Sequence, residues 1–558
     1  MKRLRATGGN ESKSSVWRRL TRRTSTRPEL LVDTPTPLPA TTNEQNFGRK
    51  AVSLNEDILY KVVEELATHS PKSLLSVALV SRAVHSFTVT VLFRSVWVGR
   101  FEAKKRERAL LHRLQNDLLL CSYIRQLTIY NEPGRNVEYE GIVTILLHLL
   151  PHMTNLKDFC CYTPLGSSLA QHISCNNPAV QLCLHSMPLT NETFASCANI
   201  VSIDAETHFY RGPENFLVRL KELALSSANF RSLTLRVLWG GCVRGPITIG
   251  DITFEPGERL SSLRSLSVDG ITPNDSWNLG VPWDVLEDIY FRRFPSILRS
   301  RVDTMHNLRS IGLSGGSGWV TNEERSQAAV PINEFLSRVP SALEELNLEE
   351  LTGVIPVSTI TRFGPSLKRL RFHNRGSFGN VETRHVFSAQ QLDEIRVACP
   401  NLEELQIDIN PDGEWPYNVL DAVAKFPRLN KLTLSVGLGL HAGTPVKPYP
   451  SHYSSVQLYK YVASVRRPMR PLNELAVQLG GPHQTRGGYG ISSILRKPTS
   501  YRVVPCERLE DAQAGLLNVW RDQATWGRQL ESFYGPVGGD TKDDRKIFAL
   551  HERHELHM

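Results

Sequence analysis

Long hydrophobic runs, paired cysteines and strong charge outside the amino terminus are all missing from this 558-residue sequence. The most apolar stretch, residues 142–150, is far shorter than the roughly 20 residues that a membrane-spanning helix needs. The sequence opens MKRLRATGGNESK, without the apolar core of a secretory signal. We therefore expect a protein that is neither secreted nor inserted in a membrane, and that resides in the cytoplasm, the nucleus or both.

The nine cysteines are scattered singly, apart from the adjacent Cys160 and Cys161, and no CxxC pair occurs. Disulfide frameworks and zinc ribbons both need paired, regularly spaced cysteines, so neither is expected, and a reducing compartment fits best. A glycine-rich phosphate loop and an HExxH motif are absent as well. The sequence predicts no cofactor, no metal and no catalytic residue, and we do not expect the chain to be an enzyme.

Positive charge is concentrated at the amino terminus. Residues 1–50 hold eleven Lys and Arg residues against four acidic ones, which accounts for +7 of the net +9. The remainder is near neutrality, so binding to nucleic acid is not expected. Residues 1–48, rich in Thr, Ser, Pro and Arg without periodicity, predict a disordered basic tail. Its WRRLTRR cluster fits a nuclear import signal, a weak contact with an anionic surface or a solvated basic tail that no partner binds.

From residue 53 the apolar pattern becomes helical. Glu56 and Asp57 lie in the first turn, where the helix dipole favours anions, and Ser70-Pro71 predicts the start of a second helix. A third helical segment follows, and so small a domain buries little surface, so a partner is expected for residues 49–98. The first helix is predicted by apolar residues at three- and four-residue spacing: Ile58, Leu59, Val62, Val63 and Leu66.

About 45 residues of this helical segment carry an ordered set of positions: Leu54-Asn55-Glu56-Asp57-Ile58-Leu59, Leu66, Leu74-Leu75, Val80-Ser81-Arg82, Phe87 and Leu92-Phe93. The set resembles the F-box, with Asn55 where that family usually has proline. The resemblance implies docking onto the small Skp-type adaptor of a cullin–RING ubiquitin ligase. By position, the adaptor-binding residues would be Leu54, Ile58, Leu59, Val62, Leu66, Leu75, Val80 and Ser81. The alternative is an ordinary helical cap that buries the first repeat.

The strand template of leucine-rich repeats, Leu-x-x-Leu-x-Leu, recurs from about residue 120 to 480 when Ile, Val and Phe are admitted. Weaker instances lie near Phe159, Leu182 and Ile203. From Leu266 onward the second anchors are spaced by 23, 22, 35, 24, 35 and 27 residues, so the unit is irregular in length. Clean instances are Ile124/Leu127/Ile129, Phe230/Leu233/Leu235, Leu263/Leu266/Val268, Leu286/Ile289/Phe291, Leu308/Ile311/Leu313, Leu343/Leu346/Leu348, Leu367/Leu370/Phe372, Leu402/Leu405/Ile407, Leu429/Leu432/Leu434 and Leu472/Leu475/Val477.

Proline marks where helices end between these strands, because it cannot continue a helix. Pro151, Pro340, Pro400 and Pro427 each precede a strand template. One helix is predicted in full, since Ser388 with Gln391 three residues later makes a capping box. The predicted fold class is α/β: an irregular leucine-rich repeat solenoid over residues 99–482, horseshoe-like with a parallel sheet on its concave face, preceded by a three-helix F-box-like module.

The alternation also predicts which side chains lie on the concave face, since residues flanking the later leucines point away from the core. Acidic, basic and acidic strips lie side by side there, which suits recognition of a protein of complementary charge. The alternative is a solvated face whose charges pair across strands. The candidate substrate-binding residues are Asp288, Tyr290, Arg292, Glu345, Asn347, Glu349, Arg369, Arg371, His373, Glu404, Gln406 and Asp408.

Beyond the array, residues 483–504 predict a flexible loop, residues 505–535 an amphipathic helix that caps the array, and residues 536–558 a charged tail. Ser314 sits in a GxSxG sequence, but no helix follows at once as a nucleophile elbow requires, so a glycine-rich loop is favoured. His551, His554 and His557 have a spacing compatible with a metal site, yet their charged tail favours solvated side chains.

These features lead to one hypothesis: a non-catalytic substrate receptor of an SCF-type ubiquitin ligase. The F-box resemblance supplies the link to the adaptor and, through it, to the cullin and RING subunits, while the repeats would bind an unknown protein substrate. The competing hypothesis is a leucine-rich repeat scaffold for protein interactions with no connection to ubiquitination.

Overall fold

A computed structural model describes the structure over most of the chain from residue 55 onward. Every described residue from Glu56 belongs to one compact unit. The described residues are 55–69, 73–99, 104–130, 136–162, 167–185, 199–208, 215–238, 251–315, 322–340, 342–374, 385–436, 448, 452–467, 469, 471–479, 499–505 and 517–522.

From residue 95 onward, helices lie between most of the successive strands in these ranges. Two short 3-10 helices, Leu150–His152 and Val302–Thr304, accompany them. The α-helices are α1 (Glu56–His69), α2 (Ser73–Val77), α3 (Arg82–Phe93), α4 (Lys104–Asn116), α5 (Leu119–Ser122), α6 (Asn136–Leu149), α7 (Ser167–Asn176), α8 (Phe216–Leu225), α9 (Trp277–Gly280), α10 (Ile297–Arg301), α11 (Asn322–Arg338), α12 (Val357–Thr361), α13 (Ala389–Ala398), α14 (Tyr417–Ala424) and α15 (His452–Val465).

The strands form one sheet in which each strand pairs with the next along the chain. Pairing is parallel from β1 to β14 and antiparallel from β14 to β16. The predicted α/β class is confirmed as a largely parallel sheet with helical connections, an arrangement compatible with a solenoid. The strands are β1 (Ser95–Val98), β2 (Gln126–Tyr130), β3 (Asp158–Tyr162), β4 (Gln181–His185), β5 (Ile200–His208), β6 (Ser232–Leu238), β7 (Ser265–Asp269), β8 (Asp288–Phe291), β9 (Ser310–Ser314), β10 (Glu345–Glu349), β11 (Arg369–His373), β12 (Glu404–Ile409), β13 (Lys431–Val436), β14 (Glu474–Leu479), β15 (Thr499–Pro505) and β16 (Leu517–Asp522).

The repeat anchors form the main core. All thirty residues of the ten clean templates are at most 4% exposed. Phe159, Leu182 and Ile203 of the weaker templates are fully buried as well, in β3, β4 and β5. The period-two alternation of each template therefore sets one face of every strand against the helices.

The length of a repeat varies with the length of the helix between its strands. The short spacings after β7, β8 and β10 contain the four- or five-residue α-helices α9, α10 and α12, and the 3-10 helix Val302–Thr304 follows α10. The two 35-residue spacings contain α11, of 17 residues, and α13, of ten. The capping box of α13 is confirmed, because Gln391 N donates to Ser388 Oγ and Ser388 N donates to Gln391 Oε1.

A recurring side-chain hydrogen bond joins each of several repeats to the one before it. The residue just before the first anchor donates to the carbonyl two positions before the first anchor of the preceding repeat. This ladder is not predicted by the repeat template. Its members are Asn155 to Ser122, Asn199 to Pro178, Ser262 to Ala228, Asn307 to Asp284 and Asn401 to Pro365.

A small second core joins α1, α2 and α3. Val63, Leu74, Val84 and Val91 are buried together there. Val84 N donates to Ser81 Oγ at 3.2 Å, so that Ser81 caps α3. The predicted first and third helices are thus confirmed, while the predicted Ser70-Pro71 cap lies outside the described residues.

Three of the predicted segments are wrong in part. Residues 95–98 were assigned to the helical module but form β1, whose Val96 and Val98 are buried against the sheet's core. Within residues 505–535, predicted to be a capping helix, residues 517–522 form the antiparallel strand β16. Residues 499–505, assigned largely to the flexible loop, form β15, where Tyr501 and Val503 are buried and Arg502 is exposed. The backbone of β15 forms hydrogen bonds with the edge of β14, which an end helix would leave unpaired.

Candidate functional site

The helical module presents apolar side chains to solvent. Ile58 and Val62, one helical turn apart on α1, are each 49% exposed, and Leu79 and Val80 before α3 are each 74% exposed. We call these four residues the apolar patch. Exposure of these four apolar side chains to water does not stabilise the small core of the module. The patch therefore marks this end of the described chain as a candidate interaction surface.

Five of the eight proposed adaptor-binding residues divide into two groups. Ile58, Val62 and Val80 belong to the apolar patch, whereas Leu59 and Leu66 pack partly buried against the small core. Ser81 is exposed and also caps α3. Leu54 and the side chain of Leu75 lie outside the described residues.

The second candidate surface is the face of the sheet opposite its core, here called the open face. The strand register places on it the acidic Glu345 of β10, the basic Arg369 of β11, the acidic Glu404 of β12 and the basic Lys431 of β13 as neighbours. The sequence predicts acidic and basic strips side by side on this face, and the strand register places these residues next to one another.

Charges on the open face pair with one another across strands. Arg369 Nε lies 2.6 Å from Glu345 Oε2, and Arg371 lies 3.7 Å from Glu345 and 3.5 Å from Glu404. Lys431 lies 4.0 Å from Glu404. The charged side chains of this region therefore pair with one another, as the alternative of a solvated face predicted. The strips leave less unpaired charge for a partner than the sequence suggested.

Three of the proposed substrate-binding residues are buried and do not lie free on this face: Glu349, His373 and Asp408. Glu349 Oε2 accepts a hydrogen bond from Tyr290 OH at 3.1 Å. His373 Nδ1 lies 2.8 Å from Asp408 Oδ1, and Asn374 N donates to Asp408 Oδ2. Buried polar groups need such partners, so these residues act first as internal structure.

The remaining proposed residues keep some exposure. Asp288 is exposed, while Asn347 and Gln406 are half-buried on the open face. Arg292 is largely buried in an ion pair with Asp269 at 3.1 Å. Near the carboxyl end of the array, a depression of about 350 Å³ is bordered by Arg371, Glu404, Gln406, Lys431, Thr433, Glu474, Gln478 and Arg502, among others.

An aromatic stack on the first strands was not predicted. The rings of Trp97, Tyr130, Tyr162 and His185 follow one another across β1 to β4 with centroid distances of 5.5, 4.4 and 4.2 Å. Their planes differ by 18°, 13° and 6°, so the rings are nearly parallel. Partly exposed aromatic residues of this kind are enriched in protein interfaces. The alternation places Tyr130 on the open face through a clean template, and following it through the weaker templates would have placed Tyr162 and His185 there as well.

Beside the stack lies a group of polar side chains that was not predicted from the sequence either. Cys160 and Cys183 are register partners on β3 and β4, and Gln126 Nε2 donates to Cys160 Sγ at 4.0 Å. A hydrogen bond from Cys183, with others from His185 and Gln126, lowers the pKa of Cys160 to about 5 despite burial. Burial opposes the charge of His185, but hydrogen bonds to Asp204 and Cys160 raise its pKa to about 9.

Other sequence motifs gain no support as sites. Ser314 is buried in β9, and α11 begins only at Asn322. The basic cluster at residues 17–23 and the three terminal histidines lie outside the described residues. In the described part of the chain, no helix has the length and apolarity to cross a bilayer, and no three His, Cys, Asp or Glu residues group as metal ligands. No family model and no curated protein matches the chain.

Proposed function

We propose that this chain is an F-box-type substrate receptor of an SCF-type ubiquitin ligase. Residues 54–93 would bind a Skp-type adaptor, and the leucine-rich repeats of the sheet would bind a protein substrate. The cullin and RING subunits would join through the adaptor. The chain itself would contribute no catalytic group.

The observation that carries this proposal is the apolar patch on a three-helix module placed directly before the repeat array. Ile58, Val62 and Val80 coincide with positions at which the F-box resemblance expects adaptor contacts. An adaptor that covered these side chains would remove apolar surface from water, which stabilises the complex by about 25 cal/mol per Å² of apolar area before the costs of association.

Proximity is sufficient for the proposed role. A receptor that holds a substrate beside a ubiquitin-charged enzyme replaces a bimolecular encounter with an effectively intramolecular one. The two surfaces of this chain are separate parts of one unit, as that role requires. Substrate would be bound by the exposed part of the open face, with the aromatic stack at one end and the depression beside Arg371 and Arg502 at the other.

The adaptor contact is tested by co-purification of the full chain with a Skp-type adaptor. We expect Ile58→Asp with Val62→Asp to lose the adaptor, because two buried charges would replace apolar contacts. Val397→Asp is the matched control, since Val397 is equally an exposed helical valine, on α13. Recovery that is equal in all three proteins, or absent from wild type, contradicts the ligase proposal and leaves the scaffold hypothesis.

The substrate surface is tested by proximity labelling in cells. One variant reverses charge at Arg369 and Arg371, and another replaces Tyr130 and Tyr162 with alanine. Loss of a shared set of labelled proteins from either variant assigns the binding region to that end of the open face. A partner set unchanged in both variants would show that the substrate binds elsewhere.

A further inference from the structure

The cysteine pair on β3 and β4 has the geometry of a reversible disulfide. Cys160 and Cys183 are direct register partners in a parallel ladder, and both are half-buried on the open face. Neighbouring strands lie about 4.8 Å apart, inside the range of roughly 4.4 to 6.8 Å between Cα atoms that disulfides span. Both thiols are free.

The surroundings favour attack by the Cys160 sulfur. Gln126 on β2 and His185 on β4 supply donors, and His185 Nδ1 lies 3.8 Å from Asp204 Oδ2 on β5. A histidine held between a carboxylate and a thiol keeps its proton and stabilises the thiolate, which is the nucleophilic form. The acidic neighbour on the same strand is Asp158, whose pKa is raised by burial and by the nearby Cys160 charge.

The other described cysteines provide an internal comparison. Cys161 is adjacent in sequence but faces the core, and Cys121 and Cys399 are buried too. Burial raises the pKa of Cys121 to about 11 and that of Cys399 to about 12, so those thiols stay protonated. Cys175 is exposed at the end of α7.

We propose that Cys160 and Cys183 form a peroxide-sensitive modification site, in which Cys160 is the attacking thiolate and Cys183 the resolving thiol. The Cys160 sulfur attacks one oxygen of hydrogen peroxide, the O–O bond breaks, and the departing hydroxide takes a proton from the His185 imidazolium and becomes water. Cys160 is then a sulfenic acid. Cys183 attacks its sulfur, the S–O bond breaks as the S–S bond forms, and the second hydroxide leaves with the Cys183 proton as water. Two thiols lose two electrons, and one peroxide becomes two waters.

The test treats the full chain with hydrogen peroxide, alkylates it after denaturation and measures its intact mass. We expect wild type to lose two alkylation sites first and to regain both with dithiothreitol. Cys183→Ser should stop at a sulfenic acid that dimedone traps, whereas Cys160→Ser should react at this site roughly tenfold more slowly. Cys175→Ser, the matched control, should behave as wild type.

Two results would overturn this site. One is loss of two thiols in Cys160→Ser or Cys183→Ser at the wild-type rate. The other is oxidation of wild type at Cys175 while Cys160 and Cys183 remain reduced, and this second result needs no variant to fold. His185→Gln separates the reactivity of Cys160 from its closeness to Cys183, because it leaves both sulfurs in register but removes the imidazolium proton donor. An unchanged rate of oxidation in this variant would show that His185 has no part in the mechanism. The chemistry of this site does not rest on the proposed ligase role, although Cys160, Cys183 and His185 lie at the aromatic stack where substrate is proposed to bind.

Discussion

Arg466 Nη2 donates a hydrogen bond to the carbonyl oxygen of Leu429 at 2.7 Å, and Arg466 is only 1% exposed. Its Nη1 donates to the carbonyls of Ala424 and Phe426 at 2.9 and 2.7 Å. Arg362 makes equivalent contacts to the end of α11. The last carbonyls of a helix have no partner within it, so a guanidinium just after the end of the following helix supplies donors to them and, for Arg466, also to the loop carbonyls beyond the helix.

Replacing Arg466 with methionine should lower the free energy of unfolding by roughly 3 kcal/mol, because several buried carbonyls lose their donors. Arg466→Lys should fall between, since one ammonium lacks the planar fork that reaches separate carbonyls. The measurement is the midpoint of urea unfolding. Arg467→Met is the control, because Arg467 is the exposed neighbour; equal midpoints for the two methionine variants would contradict this role.

Each hydrogen bond of the side-chain ladder between repeats should contribute a small amount to the free energy of unfolding. Asn307→Ala and Asn401→Ala should each cost about 1 kcal/mol, the usual net value of a hydrogen bond, and their effects should add because the sites are in different repeats. Asn347→Ala is the control, since Asn347 lies on the open face outside this ladder. Urea unfolding gives the values, and a control loss as large as that of Asn401→Ala would show that the ladder is not the cause.

The two groups of apolar residues on α1 should respond differently to an aspartate. Leu59→Asp places a charge against the small core and should unfold α1 to α3, whereas Ile58→Asp should leave the helices intact. Amide hydrogen exchange over residues 56–93 separates the cases. If protection is lost equally in both variants, Ile58 is part of the core and its use as an adaptor probe is invalid.

Labelling of Cys160 by iodoacetamide should depend on pH unlike that of a cysteine in an unstructured peptide. With its pKa lowered to about 5, Cys160 stays ionised from about pH 6 to 8, so its rate should be nearly constant, while an ordinary thiol of pKa about 8.5 should react faster as pH rises. A folded pKa below the unfolded one stabilises the folded chain above the ordinary thiol pKa, and this contribution is lost as pH falls through about 5. A Cys160 rate that rises tenfold per pH unit would contradict the thiolate.

Much of the fold was predictable because the signals were local. The capping box of α13 needs only Ser388 and Gln391, and each strand template needs six residues whose alternation decides which side is buried. The proline stops also hold, since α6, α11, α13 and α14 each end within three residues of one. Antiparallel β15 and β16 were not predicted, because the pairing of β15 with β14 and of β16 with β15 is a long-range property.

The site was less predictable for the same reason. Whether Glu345, Arg371 and Glu404 face a partner or each other depends on register and rotamers, which the sequence does not display. Glu349 and Asp408 lie on the same side of the alternation as the half-buried Asn347 and Gln406, yet they are buried near the carboxyl ends of their strands. The aromatic stack arises from four separate repeats, and only the assembled sheet brings its rings to stacking distance.

The antiparallel turn of the last strands also bears on how the chain can be shortened. A protein cut after residue 480 would leave one edge of β14 with unpaired backbone N–H and C=O groups, because β15 no longer covers them. Such an edge is a template for strands of other molecules. Fragments that end there should self-associate by strand addition, whereas fragments that retain β15 and β16 present a different edge, so any recombinant repeat domain should extend at least through Asp522.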